Sequence, residues 1–342
     1  MSIVYLLPTL PPKSPKAEAI AQEIDLLRRH FGGQTVHVNP NAFLPRPLIP
    51  RLGFGWHSLP QLYALARQAS LFHFFNPDPF PYPFLLTLPK PVVYTITAGV
   101  ERQPNLAFFR RMARVAVPDE RTLAQLQGWG LHNVALQRPG IATQRFTHNA
   151  LPVTPLDPLR LLVASAPWTL AQFATKGFDA LLGAAQMMPD LHLTLLWRGI
   201  LADEMRQRIT NLGLEERVTL IDETVDVNAV LAHAHAAAIF ATAPGIIKSY
   251  PHSLLDALAA GKPVLISRTI AMADYVEAQG CGVVVETVTP EGVAVALTQL
   301  RAGYAAYARA AITVGQRDFT EAAALNAAAM IYAAAQGQTM RP

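Results

Sequence analysis

Short apolar runs alternate with amphipathic, helix-like segments along almost the whole chain, and this alternation restricts the fold more than any other feature. Ile3–Leu7 and Leu71–Phe75 are typical of buried strands, whereas Ala17–His30 carries its apolar side chains on one helical face. Strands and helices that alternate in this way, with short connections, are typical of parallel sheets covered by helices on both faces. The sequence therefore predicts an α/β fold.

The alternation occurs in two series. A length of 342 residues suits two lobes of about 150 residues each better than one compact core. Leu151–Pro158 holds three prolines in eight residues and separates the two series, so we interpret it as a linker. We predict an N-terminal Rossmann-like lobe over 1–150, a C-terminal Rossmann-like lobe over 151–315 and a C-terminal helix over 316–342 that crosses back to the N-terminal lobe.

The second series has the clearer pattern. Its predicted strands are Leu159–Ala164, Leu191–Leu196, Val218–Ile221, Ala237–Ala241, Val264–Ile266 and Gly282–Val285. Its predicted helices include Phe178–Met188, Ala202–Leu212, Val227–His235 and Ser253–Ala260. Ligands of open parallel sheets bind beyond the carboxyl ends of the strands, so two such lobes predict a cleft with a ligand site.

The charge is distributed unevenly. Residues 1–150 carry 15 Lys/Arg and 7 Asp/Glu, whereas residues 151–342 carry 13 and 17. A basic first lobe could meet an anionic membrane surface or an anionic acceptor, and an ordinary solvated basic surface is an equal alternative. The chain has neither zinc-ligand spacing nor an aromatic RNA-binding motif, and we expect no nucleic acid partner.

The chain also lacks the patterns of a membrane or secreted protein. No run of 18 apolar residues occurs, and the apolar run Ile3–Leu7 is too short for a signal peptide and is followed at once by Pro8. Cys281 is the single cysteine, which fits a reducing compartment. We expect a cytoplasmic protein, with peripheral membrane contact as an open alternative.

The segment Lys248–Ile266 is the most informative for function. Pro251 is tolerated at a helix start but not inside a helix, which places the start of a short helix near His252 or Ser253. The amide groups and the positive dipole end of such a helix suit a diphosphate. Asp256 lies about one turn further on, where a carboxylate can accept the paired hydroxyls of a ribose.

In this segment, and in three others, the sequence resembles the retaining glycosyltransferases of family 4. The other three are Lys176–Asp179 with the leucines that follow, Arg138–Phe146 before the linker, and Phe319–Tyr332 near the end of the chain. The resemblance covers most of the chain. It implies the GT-B fold, in which two Rossmann-like lobes with parallel sheets face a central cleft, the first lobe binding the acceptor and the second the nucleotide-sugar.

The resemblance also implies an activity. A sugar would pass from a UDP- or GDP-linked donor to an unknown acceptor, with retained stereochemistry and with no bound metal or further cofactor. The donor would be held by residues of the second lobe: Lys176, Glu223, Thr224, Ser249, His252, Ser253 and Asp256. Thr97 and Lys248 stand at catalytic positions of the family.

Several of these positions depart from the family pattern. Lys248 replaces a glutamate and reverses its charge, Thr97 replaces a histidine, and Asp256 replaces the second glutamate. Ala164–Pro167 lacks the usual arginine, and Ser14 and Pro15 replace a glycine pair. A second hypothesis is therefore a non-catalytic GT-B relative that serves as a nucleotide-binding or regulatory subunit. A nucleotide-sugar epimerase fits less well.

Other notable residues have simpler interpretations. His233 and His235 are two residues apart and do not share a helical face, which does not favour a metal site. We expect core or interface positions for three tryptophans: Trp129, Trp168 and Trp197. We expect a solvated helical face for three arginines: Arg110, Arg111 and Arg114.

Overall fold

The computed structural model describes residues 2–11, 18–43, 48–146, 158–197 and 200–337. The chain forms two compact units: a first unit of Met1–Gly140 with Glu321–Pro342, and a second unit of Ile141–Thr320. The predicted border between residues 150 and 151, most of the predicted linker, and Ser14 and Pro15 lie outside the described residues. That border and the linker therefore stay predictions.

The described residues contain twelve strands and twelve α-helices. The strands are β1 (Ile3–Leu7), β2 (Gly33–His37), β3 (Leu71–Asn76), β4 (Val92–Ile96), β5 (Arg114–Val117), β6 (Val134–Leu136), β7 (Leu159–Val163), β8 (Leu191–Leu196), β9 (Val218–Ile221), β10 (Ala236–Ile239), β11 (Val264–Ser267) and β12 (Gly282–Val285). The helices are α1 (Ala19–Phe31), α2 (Leu59–Ala66), α3 (Leu106–Phe109), α4 (Glu120–Gly128), α5 (Ala171–Thr175), α6 (Phe178–Met187), α7 (Ala202–Asn211), α8 (Val227–Ala232), α9 (His252–Ala259), α10 (Met272–Gln279), α11 (Pro290–Arg317) and α12 (Glu321–Ala335).

The first unit is built on a six-stranded parallel sheet in the order β2-β1-β3-β4-β5-β6. Every residue of β1, β3 and β4 is buried, because helices cover both faces of the central strands. Gly33 at the start of β2 has φ +106°, and a Cβ there would lie 1.8 Å from the carbonyl oxygen of Ile3. Only glycine fits this approach of β2 to β1.

Helix α12 packs in the first unit and is connected there through a buried polar network. The Tyr332 hydroxyl lies 2.7 Å from His73 Nδ1, and the Thr95 hydroxyl lies 2.6 Å from His73 Nε2. Burial lowers the pKa of His73 to about 3, so the ring is neutral. The network ties α12 to the central strands β3 and β4.

The second unit is built on a six-stranded parallel sheet in the order β12-β11-β10-β7-β8-β9. This is the Rossmann order, in which the chain changes direction between β7 and β10. The long helix α11 crosses close to α9 at Gly315, where a Cβ would lie 2.2 Å from the Leu258 carbonyl oxygen. Glycine at this position lets the two backbones touch.

The α/β fold with two parallel sheets is confirmed, and most predicted elements lie within two residues of the observed ones. The predicted helix Val227–His235 ends earlier, at Ala232, because the chain must turn before β10. Arg110, Arg111 and Arg114 do not share a helix, since α3 ends at Phe109 and β5 begins at Arg114. Among the described helices, none is long and apolar enough to cross a membrane.

Candidate functional site

The carboxyl ends of β7 and β10 form the point at which the second sheet changes direction. The two strands pair directly, with Leu162 opposite Ala237, and the chain leaves them toward opposite sides. Such a point leaves a crevice where ligands of doubly wound sheets bind. The loop after β10 is fixed there, because the Ala241 N–H donates to Ser267 Oγ at 2.8 Å and Thr269 Oγ1 donates to the Ala241 carbonyl at 2.6 Å.

Lys176 lies at this point, between α5 and α6. Its Nζ donates to the carbonyl oxygen of Ala166, in the loop after β7, at 2.8 Å. The next residue, Gly177, has φ +69°, and a Cβ there would lie 2.8 Å from the Phe240 Cβ. This glycine allows the turn into α6 to pack against the end of β10, and it places Lys176 beside both strands.

The environment of Lys176 leaves its charge weakly compensated. The residue is only 9% exposed, and burial lowers the pKa of its ammonium group. Among the described residues, no carboxylate lies within ion-pair distance of it, and its hydrogen-bond acceptor is a neutral carbonyl. An anionic oxygen would compensate this cation far better than the carbonyl does.

Helix α9 follows the loop after β10 and begins at His252, as the position of Pro251 predicts. Pro251 occupies the N-cap position with extended backbone and offers no side-chain acceptor to the first turn. The buried face of the helix includes Leu254, Leu255 and Leu258, which fixes it against the sheet. Its start is therefore rigidly held next to the loop after β10.

Two residues of this segment have polar groups of interest. Ser249 is 1% exposed, and its hydroxyl has no hydrogen-bond partner among the described residues. The Ser249 carbonyl accepts the Met272 N–H at 3.2 Å, which connects the loop to α10. The Asp256 carboxylate, 18% exposed, lies on the opposite face from the buried leucines, 3.6 Å from Arg145 Nη2. Both residues lie on the segment in which a phosphate and ribose site was predicted.

The predicted site residues fall into three groups. Lys176, between α5 and α6, and the segment of Lys248–Asp256, after β10, belong to the connections that leave the neighbouring strands β7 and β10. Glu223 and Thr224 are exposed and follow β9, the outermost strand, two strands from β7. Thr97 belongs to the first unit, where it is buried after β4 and donates its N–H to the Asn76 carbonyl at 2.9 Å. The assigned roles stay predictions.

We expected three tryptophans in the core or at interfaces, and a core position is wrong for Trp168. Trp197 is 1% exposed and packs in the core of the second unit, but Trp168 is 59% exposed. Trp168 lies in the loop after β7, two residues after Ala166, and its backbone N–H donates to Gln172 Oε1 at 2.7 Å. The sequence held no signal of this exposure, because aromatic character alone does not distinguish a core position from a surface position.

No group of three or more His, Cys, Asp or Glu side chains is placed to hold a metal ion in the part of the chain that the structure describes. Cys281 is buried, and burial raises the pKa of its thiol to about 12. A thiol with this pKa is a poor nucleophile at neutral pH. It therefore has a packing role.

The sequence and the fold were compared with known proteins. The family model described as Glycosyl transferases group 1 matches residues 170–312, which include Lys176 and the whole of α9. No curated protein matches the sequence. The match lies entirely within the second unit, the unit that carries the site at β7 and β10.

Several solved structures share the fold over nearly the full length of both chains. The HepE protein of Anabaena, solved with UDP, matches with a TM-score of 0.68 and 15% identity over 96% of this chain and 98% of its own. WaaG, a glycosyltransferase involved in lipopolysaccharide biosynthesis, matches with a TM-score of 0.67 and 17% identity over 96% and 99%. Sucrose-phosphate synthase of Thermosynechococcus elongatus matches with a TM-score of 0.71 and 16% identity over 96% and 98%.

These findings agree with the observed sheets, which have the same parallel six-stranded organisation in both units. Residues 170–312 therefore match the model of the Glycosyl transferases group 1 family, on a chain that shares the GT-B fold of its structural neighbours.

Proposed function

We propose that the protein transfers a sugar from a UDP- or GDP-linked donor to an acceptor, with retained stereochemistry and without a bound metal. One observation carries this proposal: the buried, weakly compensated ammonium of Lys176 lies where the second sheet changes direction, inside the segment that matches the family. The Anabaena protein of similar fold has been solved with UDP and also with UDP-glucose.

The diphosphate of the donor is the natural partner of Lys176. Its oxygens can accept from Nζ in place of the Ala166 carbonyl, and the start of α9 offers a second positive end on the next loop. Charge that develops on the leaving diphosphate would be stabilised by these two fixed groups. This arrangement gives the diphosphate a cationic environment made of protein groups, which supports a metal-independent reaction.

The rest of the donor can then be assigned to neighbouring loops. In this proposal the backbone near His252 and Ser253 contacts phosphate, the buried Ser249 hydroxyl binds a further oxygen of the donor, and Asp256 accepts hydrogen bonds from the ribose hydroxyls. Glu223 and Thr224 lie on the side of the sheet where the base would extend.

Trp168 offers a further contact. Its exposed indole belongs to the loop after β7, whose Ala166 carbonyl accepts from Lys176, and an indole there can stack on a planar base. Base stacking on an aromatic side chain stabilises binding by about 1–3 kcal/mol per base. The loss of this contact in Trp168→Ala would weaken binding of every nucleotide, because each base has a flat face.

Lys248 and Thr97 are the proposed catalytic positions. Lys248 carries a positive charge where the resembled family carries a glutamate, so it would act on phosphate as a point charge. Lys248→Ala should then weaken nucleotide-sugar binding, and an unchanged affinity would exclude this role. Thr97→Ala should reduce turnover more than binding.

A second candidate is a non-catalytic GT-B relative that binds a nucleotide as a partner or regulatory subunit. The positive charge of Lys248 favours it, because this charge is opposite to that of the glutamate expected near the donor sugar. The two candidates share the nucleotide site and differ only in turnover.

Nucleotide binding followed by a turnover assay separates the candidates. Thermal unfolding would be measured with UDP, GDP and their sugars; a ligand at ~100 times its Kd adds about 2.7 kcal/mol of stability. Stabilisation by one nucleotide-sugar together with its slow hydrolysis or transfer supports the enzyme. Stabilisation without turnover supports the binding subunit, and no stabilisation by any nucleotide contradicts both.

We further propose peripheral contact of the first unit with an anionic membrane surface. A cavity of about 290 Å³ in this unit is lined by apolar side chains and by exposed Lys90 and Arg111. Neither cation has an ion-pair partner in the described part of the chain. Anionic vesicles should sediment the protein and neutral vesicles should not, and the charge-removing pair Lys90→Gln and Arg111→Gln should reduce the sedimented fraction.

A further inference from the structure

One surface of the first unit is exposed and apolar. Four large apolar side chains that lie close together in the sequence are each between 45% and 73% exposed, and together we call them the apolar face: Leu48, Leu52, Trp56 and Tyr63. Between Asp25 and Asp78 the chain contains five arginines and no acidic residue. Contiguous exposed apolar surface on a folded unit marks a binding surface for a protein or a membrane.

Helical geometry places these side chains on one side of the segment. The turn over Trp56–Ser58 continues directly into α2. The positions four, seven and eleven residues after Trp56 share its helical face, and all three are exposed: Pro60, Tyr63 and Arg67. Leu62 lies away from this face and is buried in the core of the first unit. The Trp56 Nε1–H donates to the Leu52 carbonyl at 3.2 Å, which joins Leu52 to the same exposed stripe.

The loop before this helix is held in place by polar side chains. Asn41 Oδ1 accepts the N–H groups of Leu48 and Ile49 at 3.1 and 3.0 Å, and Asn41 Nδ2 donates to the Ile49 carbonyl at 2.9 Å. Arg51 donates twice to the Asp78 carboxylate, at 2.8 and 2.6 Å. These contacts fix the backbone and leave the apolar face uncovered. A surface on fixed backbone loses little conformational freedom when it binds.

The polar tips of the two aromatic side chains are already paired within the unit. The Trp56 Nε1–H donates to the Leu52 carbonyl, and the Tyr63 hydroxyl donates to the Thr87 carbonyl at 2.6 Å. Both rings can therefore leave water without an unsatisfied donor, which the acyl region of a bilayer requires. A protein partner would normally use such tips for hydrogen bonds across the interface. The pairing favours lipid over protein as the occupant.

The charge around the apolar face also suits lipid. Arg67 is exposed, lies on the same stripe and has no ion-pair partner in the described part of the chain. Thr87, which accepts from Tyr63, lies three residues before Lys90 and so at most about 11 Å from it. The apolar face and Lys90 can therefore reach one surface, and no carboxylate between residues 26 and 77 opposes anionic headgroups there.

We propose that the apolar face inserts into the boundary between headgroups and acyl chains of an anionic bilayer. Trp56 and Tyr63 lie at the headgroup level, and Arg67 lies among the lipid phosphates. This inference rests on the membrane contact proposed above and adds insertion to it. Lys90 and Arg111 attract the surface by charge, whereas the apolar face enters it by about 5–10 Å.

The test uses vesicles of equal parts phosphatidylcholine and phosphatidylglycerol, with and without bromine on the acyl chains. Bromine quenches an indole only at short range. Wild type should sediment with both vesicles, and its tryptophan emission should be lower on the brominated ones. The difference should be lost in Trp56→Phe and should persist in Trp168→Phe, which removes the exposed indole of the second unit.

The strength of binding gives a second measurement. The double variant Leu52→Ser and Trp56→Ser should lower the partition coefficient by about tenfold, because two half-exposed apolar side chains no longer leave water. Val295→Ser, at a 67% exposed residue of the second unit, should bind as wild type does. These side chains are exposed, so the urea midpoints should change little.

Each outcome decides the question. Sedimentation with equal emission on brominated and plain vesicles would leave an electrostatic contact at Lys90 and Arg111 and would overturn insertion. No sedimentation with either vesicle would overturn both. A wild-type dimer in analytical ultracentrifugation that Trp56→Ser dissociates would show that a second copy of the chain covers the apolar face, and would also overturn insertion. None of these results depends on sugar transfer.

Discussion

Two buried polar side chains, one in each unit, differ in how completely their hydrogen bonds and charge are satisfied by neighbouring groups. His73 in the first unit has a hydroxyl within 2.7 Å of each ring nitrogen and is neutral. Lys176 in the second unit has one neutral carbonyl at 2.8 Å and no carboxylate among the described residues. A hydrogen-bond network in which every group has a partner stabilises and specifies a core. A buried cation without an anionic partner can still bind an anionic ligand. The first residue therefore belongs to the fold, and the second is the residue that we propose for a ligand site.

The largest effect should follow from breaking the network of the first unit. Tyr332→Ala removes a fully buried aromatic ring and leaves His73 Nδ1 without its hydroxyl partner. We expect a loss of about 3–5 kcal/mol in the free energy of unfolding. Equilibrium urea denaturation measures it, and nucleotide affinity of the folded protein should not change.

The same helix provides a matched control. Met330 is 57% exposed, and Met330→Ala should change stability by less than about 0.5 kcal/mol. Tyr332→Phe, which removes only the hydroxyl, should lie between, at about 1–2 kcal/mol. A Tyr332→Ala protein as stable as Met330→Ala would show that α12 is not held by this contact.

The corresponding change in the second unit should leave stability intact and lower nucleotide affinity. Lys176→Met removes a buried charge, so stability should hold or rise slightly, whereas nucleoside diphosphate affinity should fall by about 10- to 150-fold, equivalent to 1.5–3 kcal/mol. Titration calorimetry with UDP and GDP measures this. Lys90→Met, at an exposed lysine of the first unit, should bind as wild type does; equal binding by Lys176→Met would remove the main support for the proposed function.

The network also predicts a dependence on pH. The pKa of His73 is 6.5 in the unfolded chain and about 3 in the folded one, so the unfolded chain binds the proton between these values. Stability from this residue is complete above pH 6.5 and declines as pH falls toward 3. At pH 5 the decline should be about 2 kcal/mol. His73→Asn should flatten the pH profile, and His132→Asn, at an exposed histidine, should not.

Much of the fold could be predicted from sequence because its signals are local. Apolar runs such as Ile3–Leu7 and glycines such as Gly261 report burial and helix ends directly. Strand order is not local, and nothing in the sequence distinguished the order of the first sheet from that of the second. The role of Gly315 is equally non-local, because it depends on the approach of α11 to α9.

The candidate site was predicted only in part, for a similar reason. Lys176 and Asp256 lie in ordered motifs that predict site roles for them. The exposure of Trp168 was not predicted, because aromatic character alone does not distinguish core, interface and free surface. Contacts between residues that are distant in the sequence left no signal in it. Arg301 and Asp190 meet only after the chain has folded, and their pairing has no periodic pattern.

The smallest predicted effect concerns the ion pair beside the proposed ribose position. Arg145 is 56% exposed and lies 3.6 Å from Asp256, so the pair should contribute less than about 0.5 kcal/mol to stability. Arg145→Gln should leave the urea midpoint unchanged and should raise nucleoside affinity by roughly twofold, because Asp256 would no longer be shared with a cation. Asp256→Asn should lower that affinity instead, by about tenfold, equivalent to a lost charged hydrogen bond. If Arg145→Gln and Asp256→Asn shifted affinity in the same direction, Asp256 would not bind the ribose. Asp256 would then resemble His73, a residue of the fold, and not Lys176.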